Sequence, residues 1–378
     1  HWQSFQLNLP VTPVTDLQIH ENDLVVATQG RSFWILDDLM PLHQLTDEVM
    51  AATAHLLQSR PAYRVFSGGM MPGGGGGGRS GQGPEAGALI HYSLGEDADG
   101  PVSLEITDPR GETVQTFSSE RPSGPDLGPL ASLAAMFGMD FGGGTLPTQR
   151  GLHRFAWDLR YPAPTAPQGI VIFGLIQGPL APPGMYQATL TVGDFTQTRE
   201  FVVLPDPRVE TTQAEFEAQL DFLLEVGDAI TELAGKLEQL RAVREQVKQV
   251  AARVADAGVD AETAQQIKEA ADAMAEKLTT VEDDMVQTRS HSLEDPLNYP
   301  GKLYAQLANV QSLANGGFGA VDAPPTDGSV EFFAELQAQA AGIYARLQEV
   351  IDVDLPAFNE MVGALNLPAV IIKGSDEG

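Results

Sequence analysis

The chain of 378 residues carries 22 Lys and Arg against 51 Asp and Glu, a net charge of −29. A field of that sign repels phosphate backbones and anionic lipid, which argues against nucleic-acid and membrane-surface roles. Cysteine is absent, so disulfides and thiolate metal sites are excluded, and no apolar run is long enough to insert in a membrane.

Composition divides the chain. Up to about Pro205 it is rich in Gly, Pro and β-branched residues in short alternating runs; from Thr211 onward Ala, Glu, Gln and Leu recur at helical spacing. Val14 to His20 and Asp23 to Thr28 read as strands joined at Glu21-Asn22, and Ser32 to Leu36 as a third strand after Gln29-Gly30-Arg31. Residues 1–45 thus read as the last blade of a β-propeller. A single blade cannot bury both faces, so other material has to cover it. Residues 46–61 form a connector, with a short helix in Thr46 to Thr53 and a strand at Ala54 to Leu57.

Residues 62–205 carry a second β pattern, with strands expected at Tyr63–Phe66, Ala88–Leu94, Val102–Thr107, Thr113–Phe117, Gly151–Leu159, Ile170–Ile176, Gly184–Val192 and Thr196–Val203. Short strands with punctuated turns, such as Asp108-Pro109-Arg110-Gly111, point to an immunoglobulin-like sandwich. Long loops at 67–85 and 118–150 interrupt it. Leu204-Pro205-Asp206-Pro207-Arg208 ends this part. Residues 206–378 read as an antiparallel helical bundle. It opens on a Thr212/Glu215 capping box, and Pro356 is expected to kink its last helix.

Several stretches approach the chemistry of a site and stop short. Gly73 to Ser80 nearly spells a phosphate loop, but Arg79 stands where Lys is needed, and Gly81, Gly83 and Pro84 exclude the following helix. Glu96-Asp97-Ala98-Asp99-Gly100 lacks the distal bidentate Glu of a helix-loop-helix calcium site and reads as a solvated turn. The seven histidines show no ligand spacing, and Ser290-His291-Ser292 lacks an identifiable acid partner. His153 reads as an edge residue, and Asp158 as a salt-bridge partner of Arg31 or Arg160. No catalytic, cofactor-binding or metal residue is assigned, and no cofactor is expected. The side chains best suited to a protein partner are Trp2 and Phe5 beside the blade, and Met70, Met71, Met136, Phe137, Met139 and Phe141 in the long loops.

Three segments in a fixed order carry a resemblance: Gly30-Arg-Ser-Phe-Trp-Ile-Leu-Asp-Asp-Leu39, Phe155-Ala-Trp-Asp-Leu-Arg-Tyr-Pro162 and Asp295-Pro-Leu-Asn-Tyr-Pro300. Together they resemble the C-terminal region of bacterial sortilin-type, BNR-repeat β-propeller proteins, often labelled glycosyl hydrolases. Two departures stand out. Gln29 occupies a position where that family usually has His, and the Ser-x-Asp-x-Gly-x-x-Trp repeat box is missing. The resemblance implies a secreted, extracytoplasmic protein with further propeller blades, in the same protein or a separate chain, as partners. It also implies other protein subunits of an assembly. A start at His1 fits a processed or partial chain. The expected function is therefore a non-catalytic structural and protein-interaction region. The alternative is an accessory part of a glycan- or peptide-acting hydrolase whose active site lies upstream.

Overall fold

The computed structural model describes residues 5–65, 87–120, 145–172, 176–292, 295–315 and 322–365. It divides into two units, His1–Pro162 with Leu180–Phe216, and Ala163–Pro179 with Glu217–Gly378. The first is built from sheets and the second from helices.

In the first unit, β1 (Val14–His20), β2 (Asp23–Thr28) and β3 (Phe33–Leu36) form a three-stranded antiparallel sheet. Two short helices, α1 (Met40–Gln44) and α2 (Asp47–Ala51), follow it; Thr46 caps α2 by accepting the Val49 N–H. The remaining strands make two sheets. One has the order β5 (Ala62–Arg64), β11 (Phe195–Pro205), β10 (Gly184–Val192), β7 (Val102–Thr107), β8 (Thr113–Ser118); the other has β4 (Ala54–Leu56), β6 (Ala88–Leu94), β9 (Gly151–Trp157). Alternation drives their packing: Val102, Leu104 and Ile106 are buried while Ser103, Glu105 and Thr107 are half-exposed. These join Ile90, Tyr92, Trp157, Tyr186 and Phe201 in one apolar core shared by both sheets. All neighbouring strands pair antiparallel except β5, which runs parallel to β11.

The Phe155–Pro162 segment accounts for a corner of this core. Trp157 is fully buried, with ring centroids 5.4 Å from Tyr186 and 6.0 Å from Phe201. The strand ends at Trp157 rather than at Leu159 because Leu159 adopts φ 62°, which no strand accommodates. The turn is held by Trp157 Nε1 donating to Arg160 O (3.1 Å), Arg160 N donating to Asp158 Oδ1 (3.1 Å) and Ala181 N donating to Leu159 O (2.7 Å). Gly87 crosses so closely that a Cβ there would lie 2.0 Å from Trp157 O. Buried Arg64 donates to the carbonyls of Leu180 and Ala181 and lies 4.8 Å over the Phe216 ring.

Helix α3 (Gln213–Asp256), which belongs to the second unit from Glu217 onward, begins with the reciprocal bonds of a capping box. Thr212 N donates to Glu215 Oε2 (2.8 Å), and Glu215 N donates to Thr212 Oγ1 (3.4 Å). Then come α4 (Ala261–Met285), α5 (Leu303–Ala314), α6 (Asp327–Glu349) and α7 (Leu355–Gly363). Arg241 and Arg244 of α3 reach Glu282 and Thr279 of α4, so these helices are antiparallel. Gln219 Nε2 donates to Ala314 O, which sets α5 against the first half of α3. Helices α4 and α5 therefore follow one another along α3. Helix α6 runs in the same direction as α3, with Phe222 against Phe333 at one level and Lys236 against Tyr344 further along. The expected alternating antiparallel bundle is replaced by three columns, because α3 is long enough to carry two successive partners.

Two further features have physical causes. The last helical run, Asp327 to Gly363, is irregular just before Pro356. Pro356 lacks the N–H that would bond the carbonyl of Asp352, and the turn before it widens into a π segment, Val350–Asp354. The Ile170–Ile176 run, expected as a strand, belongs to neither sheet. Its Ile170, Ile172 and Ile176 pack on the helical core. Helix side chains replace a ladder there: Arg241 bonds Gln168 O, Gln311 bonds Gln177 O, and Asn315 bonds Gln177 O and Gly178 O. Residues 173–175 lie outside the described residues.

Candidate interaction surface

The three-stranded sheet forms for local reasons. Glu21 and Asn22 both take left-handed φ, 49° and 66°, the pair of angles a two-residue hairpin turn requires. Gly30 at φ 80° turns the chain between β2 and β3, and the turn is clipped by Thr28 Oγ1 donating to Ser32 O (2.6 Å) and Trp34 Nε1 donating to Arg31 O (2.8 Å). Trp34 and the Arg31 backbone are thus turn fasteners.

Register fixes which residues share a face. Leu17, Val26 and Trp34 lie in one cross-strand row, with Ile19, Leu24 and Leu36 in the next. Of these six only Val26 is buried; Leu17 is 59 % and Ile19 64 % exposed. The opposite face carries Val25 beside Ile35 and Ala27 beside Phe33, with Ile35 57 % and Phe33 75 % exposed. Every residue of β1 is exposed. Both faces therefore present large apolar groups. Covering a single such side chain is worth up to roughly 1.5–3 kcal/mol.

The sheet is anchored at one end. Asp23 Oδ1 accepts the Asp38 N–H (2.8 Å) and Arg60 Nη1 (3.1 Å), and Leu39 N donates to Asn22 O (2.7 Å). This ion pair joins the sheet to the segment before β5. Asp158 accepts the Arg160 N–H in its own turn, and its charge raises the Arg160 pKa against the larger lowering by burial. Asp38, at φ 62°, is buried, as is His91 of β6. Burial lowers the His91 pKa first, opposed by Asp38 and reinforced by Arg154 and Arg60.

Of the side chains singled out from the sequence, Phe5 is exposed and available. Trp2, Met70, Met71, Met136, Phe137, Met139 and Phe141 lie outside the described residues, as do the glycines of 73–78. The sheet's own apolar groups, Leu17, Ile19, Phe33 and Ile35, escaped sequence reading as binding residues because alternation marks strands without saying which faces stay open.

The remaining candidates resolve into structure. Asp97 Oδ1 accepts Arg150 N (2.7 Å), clipping two loops together. His153 Nε2 lies 2.5 Å from Gln149 O, and its ring is 5.1 Å from Tyr92. Asp295 Oδ2 accepts the backbone N–H groups of His291 (2.7 Å) and Ser292 (2.8 Å), which hold its carboxyl below the usual range. The acid near His291 therefore serves backbone, while Tyr299 stacks beneath Arg289 at 4.9 Å. Among the described residues no group of three His, Asp or Glu is placed to hold a metal, and no helix is long and apolar enough to cross a membrane. No family model matches the sequence, and a search of characterised proteins finds no relative.

Proposed function

We propose that this chain is a non-catalytic structural and protein-interaction region of an extracytoplasmic β-propeller protein. In this reading β1–β3 is the terminal blade, and its partners are the remaining blades, in the same protein or another chain, within a larger assembly. The observation that carries it is the exposure of Leu17 and Ile19 on one face and Phe33 and Ile35 on the other. A propeller blade meets neighbours on both faces, so it is the kind of sheet expected to carry apolar groups on both. The three-segment resemblance points the same way.

The immunoglobulin-like reading of the two-sheet part draws support from its topology. A first short strand pairs in the smaller sheet, and the next crosses to lie parallel to the last strand in the larger. Tyr186 Oη donates to Pro182 O (2.9 Å), as in the tyrosine corner of that fold.

The chain has no native cysteine, so single cysteines report cleanly on cover. Leu17→Cys and Phe33→Cys should react rapidly with a maleimide in this chain alone. With the proposed remaining blades added, in the same protein or as another chain, both should be protected. Equal reactivity in both settings overturns the blade assignment. Glycan- or peptide-hydrolysing activity confined to those blades would make this region the accessory of a hydrolase.

A further inference from the structure

The helical unit contains a groove of about 600 Å³ between α3 and α6, floored by Leu307 of α5 and Leu336 of α6. It exists because Ala229, Ala340 and Ala341 stand where larger side chains would close the helices together. Aromatic contacts bound it: Phe222 and Phe333 meet at 5.6 Å before it, and Lys236 lies 6.0 Å over the Tyr344 ring beyond it.

Charge on the two rims is unbalanced. Helix α3 contributes Glu225, Asp228 and Glu232, one per turn over about 10 Å of helix. The facing wall of α6 offers Gln337, Ala341 and Tyr344, with no cation. Two carboxylates elsewhere in this unit are matched: Glu282 meets Arg241 at 2.7 Å and Arg244 at 2.5 Å, and Asp284 meets Arg346 at 2.7 Å. The three groove carboxylates have no ion-pair partner among the described residues. The Glu232 charge is felt inside the groove, where burial first and Glu232 second push the Tyr344 phenol above its usual range.

We infer that this groove docks a basic amphipathic helix of a protein partner. The partner's apolar stripe would lie on Leu307, Leu336 and the alanines, and Lys or Arg one turn apart would meet Glu225, Asp228 and Glu232. An apolar floor beside three successive carboxylates is the complement of a helix whose apolar and basic stripes lie side by side. A plain apolar helix would leave the carboxylates unanswered, and a small cation would leave the floor wet.

The test uses a fluorescein-labelled Leu/Lys peptide of about 18 residues, five helical turns, with leucines on one face. A shuffled peptide of equal composition and no apolar face is the comparison. Anisotropy at moderate salt should show the patterned peptide binding at least about tenfold more tightly than the shuffled one. The triple substitution Glu225→Gln, Asp228→Asn, Glu232→Gln, and separately the filling substitution Ala341→Phe, should each weaken it about tenfold. Removing three exposed carboxylates from the β unit (Glu21→Gln, Asp194→Asn, Glu200→Gln) makes the same change in net charge and should leave binding unaltered. Circular dichroism checks that each variant keeps its helix. Equal binding of the two peptides, or equal losses from the two triple variants, would mean general attraction to an acidic protein and would overturn the inference. Undiminished binding to Ala341→Phe would place the peptide elsewhere, with the same consequence.

Discussion

Two seven-residue strands of the first unit, β1 and β6, show how little a strand's own sequence says about its surroundings. Val-Thr-Asp-Leu-Gln-Ile-His is exposed at every position, whereas Ala-Leu-Ile-His-Tyr-Ser-Leu is buried at every position. Both carry several apolar groups and a histidine. The difference is in neighbours. Strand β6 lies between β4 and β9, turns Ile90 and Tyr92 into the shared core, and has Asp38 and Arg60 close to His91. Strand β1 is an edge with one partner, and each of its residues is exposed among the described residues. The contrast teaches that β1 has the apolar content of a covered strand without the cover.

The largest effect separating the two regions should come from the core that β6 serves. Trp157→Ala removes a fully buried ring between Tyr186 and Phe201 and should cost about 3–5 kcal/mol in urea unfolding. A loss under about 1 kcal/mol would mean the two sheets do not share one packed core. Next, Tyr186→Phe keeps the ring but strips the donor from Pro182 O. Leaving that buried acceptor unanswered should cost about 1–3 kcal/mol, read from the same melts.

A smaller, pH-dependent effect should mark the place where β6 is covered. Burial holds the folded-state pKa of His91 below its ordinary 6.5, and burial followed by Arg199 does the same for His55. The unfolded chain then binds more protons than the folded one as pH falls through 6.5, so stability declines until the folded-state values are reached. Unfolding midpoints should therefore drop between about pH 7.5 and pH 5.5, and His91→Gln should flatten that slope in part, His55 retaining the remainder. An unchanged slope in His91→Gln would mean that this imidazole is solvated, and that β6 is not sealed on that side.

Much of this fold was legible in the residues. Turn chemistry at Glu21-Asn22, alternation in β7 and β10, the capping box at Thr212 and the α3 stripe all act locally, and a local pattern survives in sequence. What stayed hidden depends on partners. Strands β4 and β5 are three residues each, too short to carry a period, so their assignment to different sheets could not be read. Ile170, Ile172 and Ile176 repeat like a strand, yet their ladder is supplied by Arg241, Gln311 and Asn315 from helices distant in sequence. The groove on α3 and α6 was invisible for a similar reason. An alanine is a good helix former whether or not a cavity opens beside it, and the sequence does not say that Glu225, Asp228 and Glu232 face Gln337, Ala341 and Tyr344 across a groove.

The smallest predicted effect is the most telling. Leu17→Ser and Phe33→Ser change side chains that are 59 % and 75 % exposed, and in this chain alone each should alter stability by no more than about 0.5 kcal/mol. Set beside Trp157→Ala, that near-silence would show that the sheet contributes its apolar surface to nothing within the described residues. With the proposed neighbouring blades added, the same two substitutions should become costly, approaching the roughly 1.5–3 kcal/mol of a buried apolar side chain. If they stay silent there as well, the exposed groups are ordinary surface and β1–β3 needs no neighbour. If instead they are already costly in the isolated chain, then another part of this same chain covers the sheet, and the contrast between β1 and β6 disappears.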